Sequence, residues 1–365
     1  MIEKGKISAL QMGIMMHPAI IATAILLVPA ITAHHANQDM WISPIWASLT
    51  GFVTVYIAIL LHNYYPQQTV IEYSEQIVGK FFGKIVGFIF LLFYLHTNGI
   101  IIREYGEFIV GNFFVRTPLI FVMGSMIFVC ALAVRGGVEV IARLSEMIVP
   151  VVIIVIVFFI ILLIPDMNIT NMLPVMEKGI FPSIKGAIIP QSWFSEFFLI
   201  AFFLPYVADQ ENRKKWAIMS VVAVLFTLFL VNITVLFVLG NITARFVYPV
   251  MSAVRYVSIA DFLEHLEAFV MAIWVAGAFL KISVFYYVFV LGTAQWLRLS
   301  DYRLLVFPSG FLLLVFAVWT APNLMELSLF LGTTVPFYLD SVQTIIPSFL
   351  LLIAKWRNKM RDEQK

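Results

Sequence analysis

Ten long apolar stretches alternate with short polar ones along the chain. They cover about 8–32, 42–63, 85–110, 117–134, 147–164, 187–208, 216–240, 268–293, 303–321 and 336–354. Each is close to the ~20 mostly apolar residues that carry a helix across a bilayer. The longest gaps, about 20–30 residues, leave no room for an inserted soluble domain. The pattern predicts an all-α integral membrane protein, a single transmembrane domain over 1–365 that includes a cytoplasmic tail at 355–365. The first run has a cleavage-like "ATA" at 22–24, but His17-Pro18 interrupts it and it continues into "ILLVPAI". It therefore reads as an uncleaved first span and not as a signal peptide.

Composition sharpens this. The chain is 62% hydrophobic and 12% charged, with a mean hydropathy of +0.97. A soluble domain is nearer half apolar and a quarter charged. With the N-terminus placed in the cytoplasm, the inner segments hold sixteen Lys and Arg and the outer segments five, with Arg103 and Lys281 left inside spans. That bias predicts an even number of crossings and both termini cytoplasmic. No basic run interleaved with aromatics suggests nucleic acid. The single cysteine, Cys130, excludes an internal disulfide.

Ten spans divide into two sets of five. Span 1 carries Pro18 and Pro29, and span 6 carries Pro190 and Pro205, with small or polar residues between them. The loops after spans 2 and 7 also correspond. One has Tyr65-Pro66 and then Thr69-x-x-Glu72; the other has Tyr248-Pro249 and then Ser258-x-x-Asp261. In each, an N-cap is followed three residues later by an acid, which opens a short helix. One loop falls inside and the other outside, as inverted halves require. The expected architecture is a five-plus-five inverted repeat, about 8–164 and 187–354, with spans 1 and 6 broken near mid-membrane. Broken ends expose N–H groups that suit a carboxylate and carbonyls that suit an ammonium. An amino acid offers both charges.

The stretches "IATAILLVP", "QTVIEYSEQIVGKFFGKIVG", "IIREYGEFI", "VIARLSEMIVP", "NMLPVMEKGIFPSIKG", "YPVMSAVRYVSIADFLEHLE" and "WVAGAFLKISVFYY" stand in order over nearly the whole chain. Together they resemble the B subunit of spore germination receptors (GerAB type), of the amino acid–polyamine–organocation superfamily with its LeuT-like fold. The resemblance implies germinant recognition in the spore inner membrane of sporulating bacteria, no cofactor, and partnership with an A subunit and a lipoprotein C subunit. The germinant it implies is a small molecule, typically an amino acid. The superfamily usually has a Gly-rich break in span 1, where this chain has Ala22-Thr23-Ala24. Alanine favours helix more than glycine does. His265 in "FLEHLE" stands where arginine is expected.

Lys281 falls near the centre of span 8. A lysine there costs ~2.5–3.5 kcal/mol on insertion scales. Its stem reaches ~6 Å and the interface is ~15 Å away, so it must face the bundle interior. It serves a ligand carboxylate, replaces a transported cation, or pairs with a buried acid. Glu196, early in span 6, takes a ligand ammonium, pairs with Lys281, carries a proton, or sits in a first helical turn capped by Ser195. Tyr94 and Asn98 share a face of span 3. Arg103 and Glu107, four apart, are placed to pair. The candidate ligand-binding residues are Ala22, Thr23, Ala24, Tyr94, Asn98, Ser192, Glu196, Lys281, Ser283 and Tyr287. No nucleophile, acid and base converge in a wet loop, which disfavours an enzyme. Two functions remain: a germinant-receptor subunit, and a proton-coupled amino acid permease of the same fold.

Overall fold

The computed structural model describes residues 2–255 and 267–362. Among these, nine helices are long and apolar enough to cross a membrane, and the bent pair Phe181–Ala187 and Pro190–Tyr206 passes the same test as one unit. The crossings are α1 (Ala9–Ala36), α2 (Ser43–Tyr64), α4 (Lys80–Asn112), α5 (Leu119–Gly136), α6 (Val138–Leu163), the bent pair, α10 (Arg213–Leu239), α12 (Glu267–Leu297), α13 (Val306–Trp319) and the last span, α15 (Val335–Asp340) continued by α16 (Ile346–Asp362). Shorter elements join them: α3 (Val70–Val78), α11 (Pro249–Arg255) and α14 (Leu324–Thr333). Within the bent pair are α7 (Phe181–Ala187), α8 (Pro190–Ser195) and α9 (Ile200–Phe203). Among the described residues, nine of the ten predicted spans are matched by helices long and apolar enough to cross, and the tenth by the bent pair taken as one span.

Local chemistry sets the ends. Ser8 opens α1 with a capping box: its hydroxyl accepts from the Gln11 amide at 3.0 Å and the Gln11 side chain accepts from the Ser8 amide at 2.8 Å. This satisfies two amides that the first helical turn leaves unpaired. The predicted Thr69–Glu72 box opens α3 in the same way. Its counterpart at Ser258 and Asp261 lies outside the described residues, as does His265. Gly137 is the sole residue between α5 and α6, at φ +93°, a conformation glycine adopts without a Cβ penalty.

Two breaks were expected and one is found. Span 6 bends by 50° between Ala187 and Pro190, then continues through 3₁₀ turns at Glu196–Leu199 and Leu204–Tyr206. Span 1 corrects the expectation: α1 is helical from Ala9 to Ala36, through Ala22-Thr23-Ala24 and both prolines. Alanine keeps the helical ladder where glycine would release it. A proline inside a helix removes one N–H and bends the chain without ending it where neighbouring helices pack around it.

Burial ranks the spans. The most apolar windows of α1 and α4 are 72% and 67% buried, against 17% for α6. So α1 and α4 run through the middle of the bundle and α6 faces lipid. In α12 every residue from Leu280 to Gly292 is buried. The first and last described segments sit at one end of the bundle. Ile7 pairs with Val207 in a parallel bridge, and Arg357 donates to the carbonyls of Gln76 and Ile77, beside the start of α4. This end is called the terminal face below.

Candidate functional site

The chemistry gathers where α12, α4 and the bent span meet. Lys281 of α12 donates to Glu196 Oε2 at 2.7 Å; their side chains are 0% and 2% exposed. The first 3₁₀ turn of the bent span begins at Glu196, so the break presents that carboxylate to α12. Ser195 does not cap a helix here. Its hydroxyl donates to the Ser192 carbonyl at 2.6 Å. The lysine ammonium also lies 5.4 Å from the Phe285 ring centre, over its face. A buried pair of this kind is expensive to desolvate, and breaking one side strands the other charge. An ionisable pair inside so apolar a bundle is a candidate functional position.

Two aromatic layers enclose the pair. Toward the terminal face, Tyr94 lies 5.3 Å from Phe202 and 6.0 Å from Phe285, and Phe90 lies 5.7 Å from Phe198. Toward the opposite face, Tyr105 stacks on Trp274 at 5.7 Å, and Phe108 lies 4.2 Å from Trp274 and 5.1 Å from Tyr248. The Trp274 indole N–H donates to the Ala22 carbonyl, which fastens α12 to the centre of α1. Beside Ala22 is an apolar cavity of about 100 Å³, lined among others by Ile25, Ile156, Thr234, Trp274 and Leu280.

The sequence-derived candidates divide into those the fold gathers and those it separates. Thr23 accepts from the Trp193 indole N–H at 2.9 Å, tying α1 to the bent span directly. Ala22 and Ala24 are buried on either side of it. Tyr94 stands within electrostatic range of Glu196, and its buried hydroxyl has no hydrogen-bond partner among the described residues. Asn98 donates to the Ile282 carbonyl at 3.4 Å. The Ser192 hydroxyl is spent on the Ile189 carbonyl at 2.7 Å. Ser283 turns toward Cys130 of α5. Tyr287 points to the terminal face, where its hydroxyl donates to Glu3 at 3.1 Å.

Sequence reasoning missed Glu3. This carboxylate is buried and accepts from the hydroxyls of Tyr287 and Tyr302 and the amide of Val138 at 3.1, 3.0 and 3.3 Å. It holds the extended N-terminal segment across the end of the bundle, where the Ile7 amide donates to the Tyr206 carbonyl at 3.0 Å and its carbonyl accepts from Ala208 at 2.8 Å. A charge three residues from the N-terminus reads as a solvated flank, and its partners lie up to 299 positions away. The predicted Arg103–Glu107 pair forms at 2.7 Å, and Arg103 donates a further bond to the Val318 carbonyl at 3.4 Å.

Comparisons with known proteins bear on the family and the fold. Residues 6–325 match the family described as spore germination protein. Spore germination protein KB of Bacillus subtilis (strain 168) is 26% identical, over 100% of this chain and 98% of its own. Spore germination protein YndE of the same strain is 24% identical, over 97% and 98%. Spore germination protein XB of Bacillus anthracis is 24% identical, over 71% and 73%. Among solved structures, a substrate-bound, outward-open Na⁺-coupled sialic acid symporter superposes with a TM-score of 0.64 at 12% identity, over 93% of this chain and 80% of that one. A nucleobase–cation symporter, closed around a bromovinylhydantoin, gives 0.65 at 12% identity, over 95% and 78%. At that identity the likeness concerns fold alone, and the fold is the LeuT-like one. These relatives and neighbours are germination and transport proteins, not enzymes. Matched by the family over most of its length and folded as a multi-pass bundle, the chain belongs to the spore germination protein family.

Proposed function

We propose that this chain is the membrane subunit of a spore nutrient germinant receptor. It binds a small germinant, an amino acid, around the Lys281–Glu196 pair and passes a change of shape to an A subunit and a lipoprotein C subunit. The observation that carries the reading is the pair itself: the only contact of the Lys281 ammonium with a carboxylate among the described residues links α12 to the broken span. A ligand whose carboxylate competes for Lys281 would loosen that link, and differential affinity for the two arrangements is what a signal requires. Thr23 and Trp193 tie the same broken span to α1. Ligand contacts fall to Ala22, Thr23, Ala24, Tyr94, Asn98, Ser192, Glu196 and Lys281, with Ser283 and Tyr287 coupling α12 to its neighbours. The domain is a single unit of two inverted halves, about 8–164 and 187–354, in the spore inner membrane with both termini cytoplasmic.

The second reading is a proton-coupled amino acid permease. The fold it shares with two cation-coupled symporters favours it. Spores that carry Lys281→Met in place of the native chain test the first reading. The expected result is a loss of the germinant response that exceeds any fall in the variant's membrane level, measured in the same spores. Unchanged germinant sensitivity would overturn it.

A further inference from the structure

We propose that Glu104 is a binding site for an organic ammonium group. Glu104 lies on α4 between the Lys281–Glu196 pair and the aromatic layer opposite the terminal face, called the outer layer below. It is 8% exposed, and among the described residues no hydrogen bond or ion pair reaches its carboxylate. The neighbouring cations are committed elsewhere. Arg103 is held by Glu107 and the Val318 carbonyl, and Lys281 by Glu196 at 2.7 Å. Yet Glu104 stands within electrostatic range of both Lys281 and Glu196, and Tyr248 of the outer layer is within range of Glu104. The interior therefore holds two carboxylates for one available ammonium. A buried carboxylate either pairs with a cation or takes up a proton.

The surroundings say what pairs with it. Phe108 is one helical turn beyond Glu104 on the same face of α4. With Tyr105, Trp274 and Tyr248 it forms a contiguous aromatic wall, at ring separations of 4.2 to 5.7 Å. Ring faces attract organic cations, most strongly when water is excluded. A hard metal ion needs several oxygen ligands, and here one carboxylate stands among rings. A proton would discharge Glu104 without using the rings. A carboxylate beside an aromatic wall selects an alkylammonium, the class that includes the α-ammonium of an amino acid. The inference rests on the receptor reading in one respect: it moves the ligand's ammonium from Glu196, already spent on Lys281, to Glu104.

The test uses the purified full chain in phosphatidylcholine nanodiscs, with empty nanodiscs as the blank. The probe is isobutylammonium chloride, followed by saturation-transfer NMR, with isobutanol as its neutral counterpart. Saturable binding of the ammonium and not of the alcohol is expected. Glu104→Gln should weaken it at least about tenfold, the loss expected for a charged hydrogen bond. Glu104→Asp should keep most of it, which shows that loss in the glutamine variant is not misfolding. Equal binding by wild type and Glu104→Gln, equal binding of the alcohol, or displacement by equimolar sodium would each overturn the proposal. If Glu104→Gln has no effect while an amino acid is still retained in a Lys281-dependent way, this inference fails and the receptor reading stands. If the ammonium effect holds and no amino acid binds, the receptor reading alone fails.

Discussion

Lys281 and Glu196, 85 positions apart, meet at 2.7 Å in the interior of the bundle, and neither is reached by solvent to any useful degree. Replacing either one strands the other. Lys281→Met and Glu196→Gln should each lower stability by about 3–5 kcal/mol, while Lys281→Met combined with Glu196→Leu should recover most of it. Denaturation in detergent of the three variants checks this. Single variants as stable as wild type would show that the pair contributes nothing to the fold.

The Thr23–Trp193 bond joins α1 to the broken span. Thr23→Val leaves the buried indole N–H without an acceptor, at a cost of about 1–3 kcal/mol. Thr23→Ser keeps the oxygen and should stay near wild type. Thermal melts of the two variants separate the hydrogen bond from the packing. The same valine variant should shift the germinant dose–response to higher concentration.

Glu3 fastens the extended N-terminal segment to α12, to the α5–α6 turn and to Tyr302. Glu3→Ala removes the acceptor from these three distant donors and from the local amides of Lys4 and Gly5. Hydrogen exchange should accelerate at the amides of Ile7 and Ala208 and spread to Val138. Unchanged exchange there would mean that the segment is held by its backbone bonds alone.

Glu72 carries the pH prediction. It lies in α3, outside the crossings; although the residue is exposed, partial desolvation raises its carboxyl above the ordinary glutamate value of 4.5, against the lowering effect of the Thr69 amide. A raised folded value means that the folded state holds the proton more tightly than the unfolded state. Ionised Glu72 therefore opposes folding at neutral pH. Protection of the α3 amides, corrected for intrinsic exchange, should rise as pH falls through the raised value toward 4.5, then level off. Glu72→Gln can still accept from Thr69 and should flatten this dependence. A steeper or inverted profile in that variant would contradict the assignment.

Much of this architecture is legible in the amino-acid sequence because a bilayer demands it. Length and hydropathy alone place ten crossings, and the insertion cost of Lys281 turns it inward before any partner is known. The Thr69–Glu72 box and the Arg103–Glu107 pair are local spacings, and both form. What was illegible is non-local or depends on degree. The prolines of α1 resemble those of span 6, but alanine at 22 and 24 keeps the helix whole. Glu3 finds its partners only through the folded chain. Glu104 follows Arg103 in sequence, yet the helix turns it about 100° away, toward a centre already holding one ion pair.

The most direct measurement is labelled amino acid retained by proteoliposomes containing the purified chain, followed over time across a panel of amino acids. The expected result is a plateau near one ligand per protein, abolished by unlabelled competitor and by Lys281→Met. Retention that climbs far beyond one per protein would mean flux, and would contradict a receptor subunit that binds without transport.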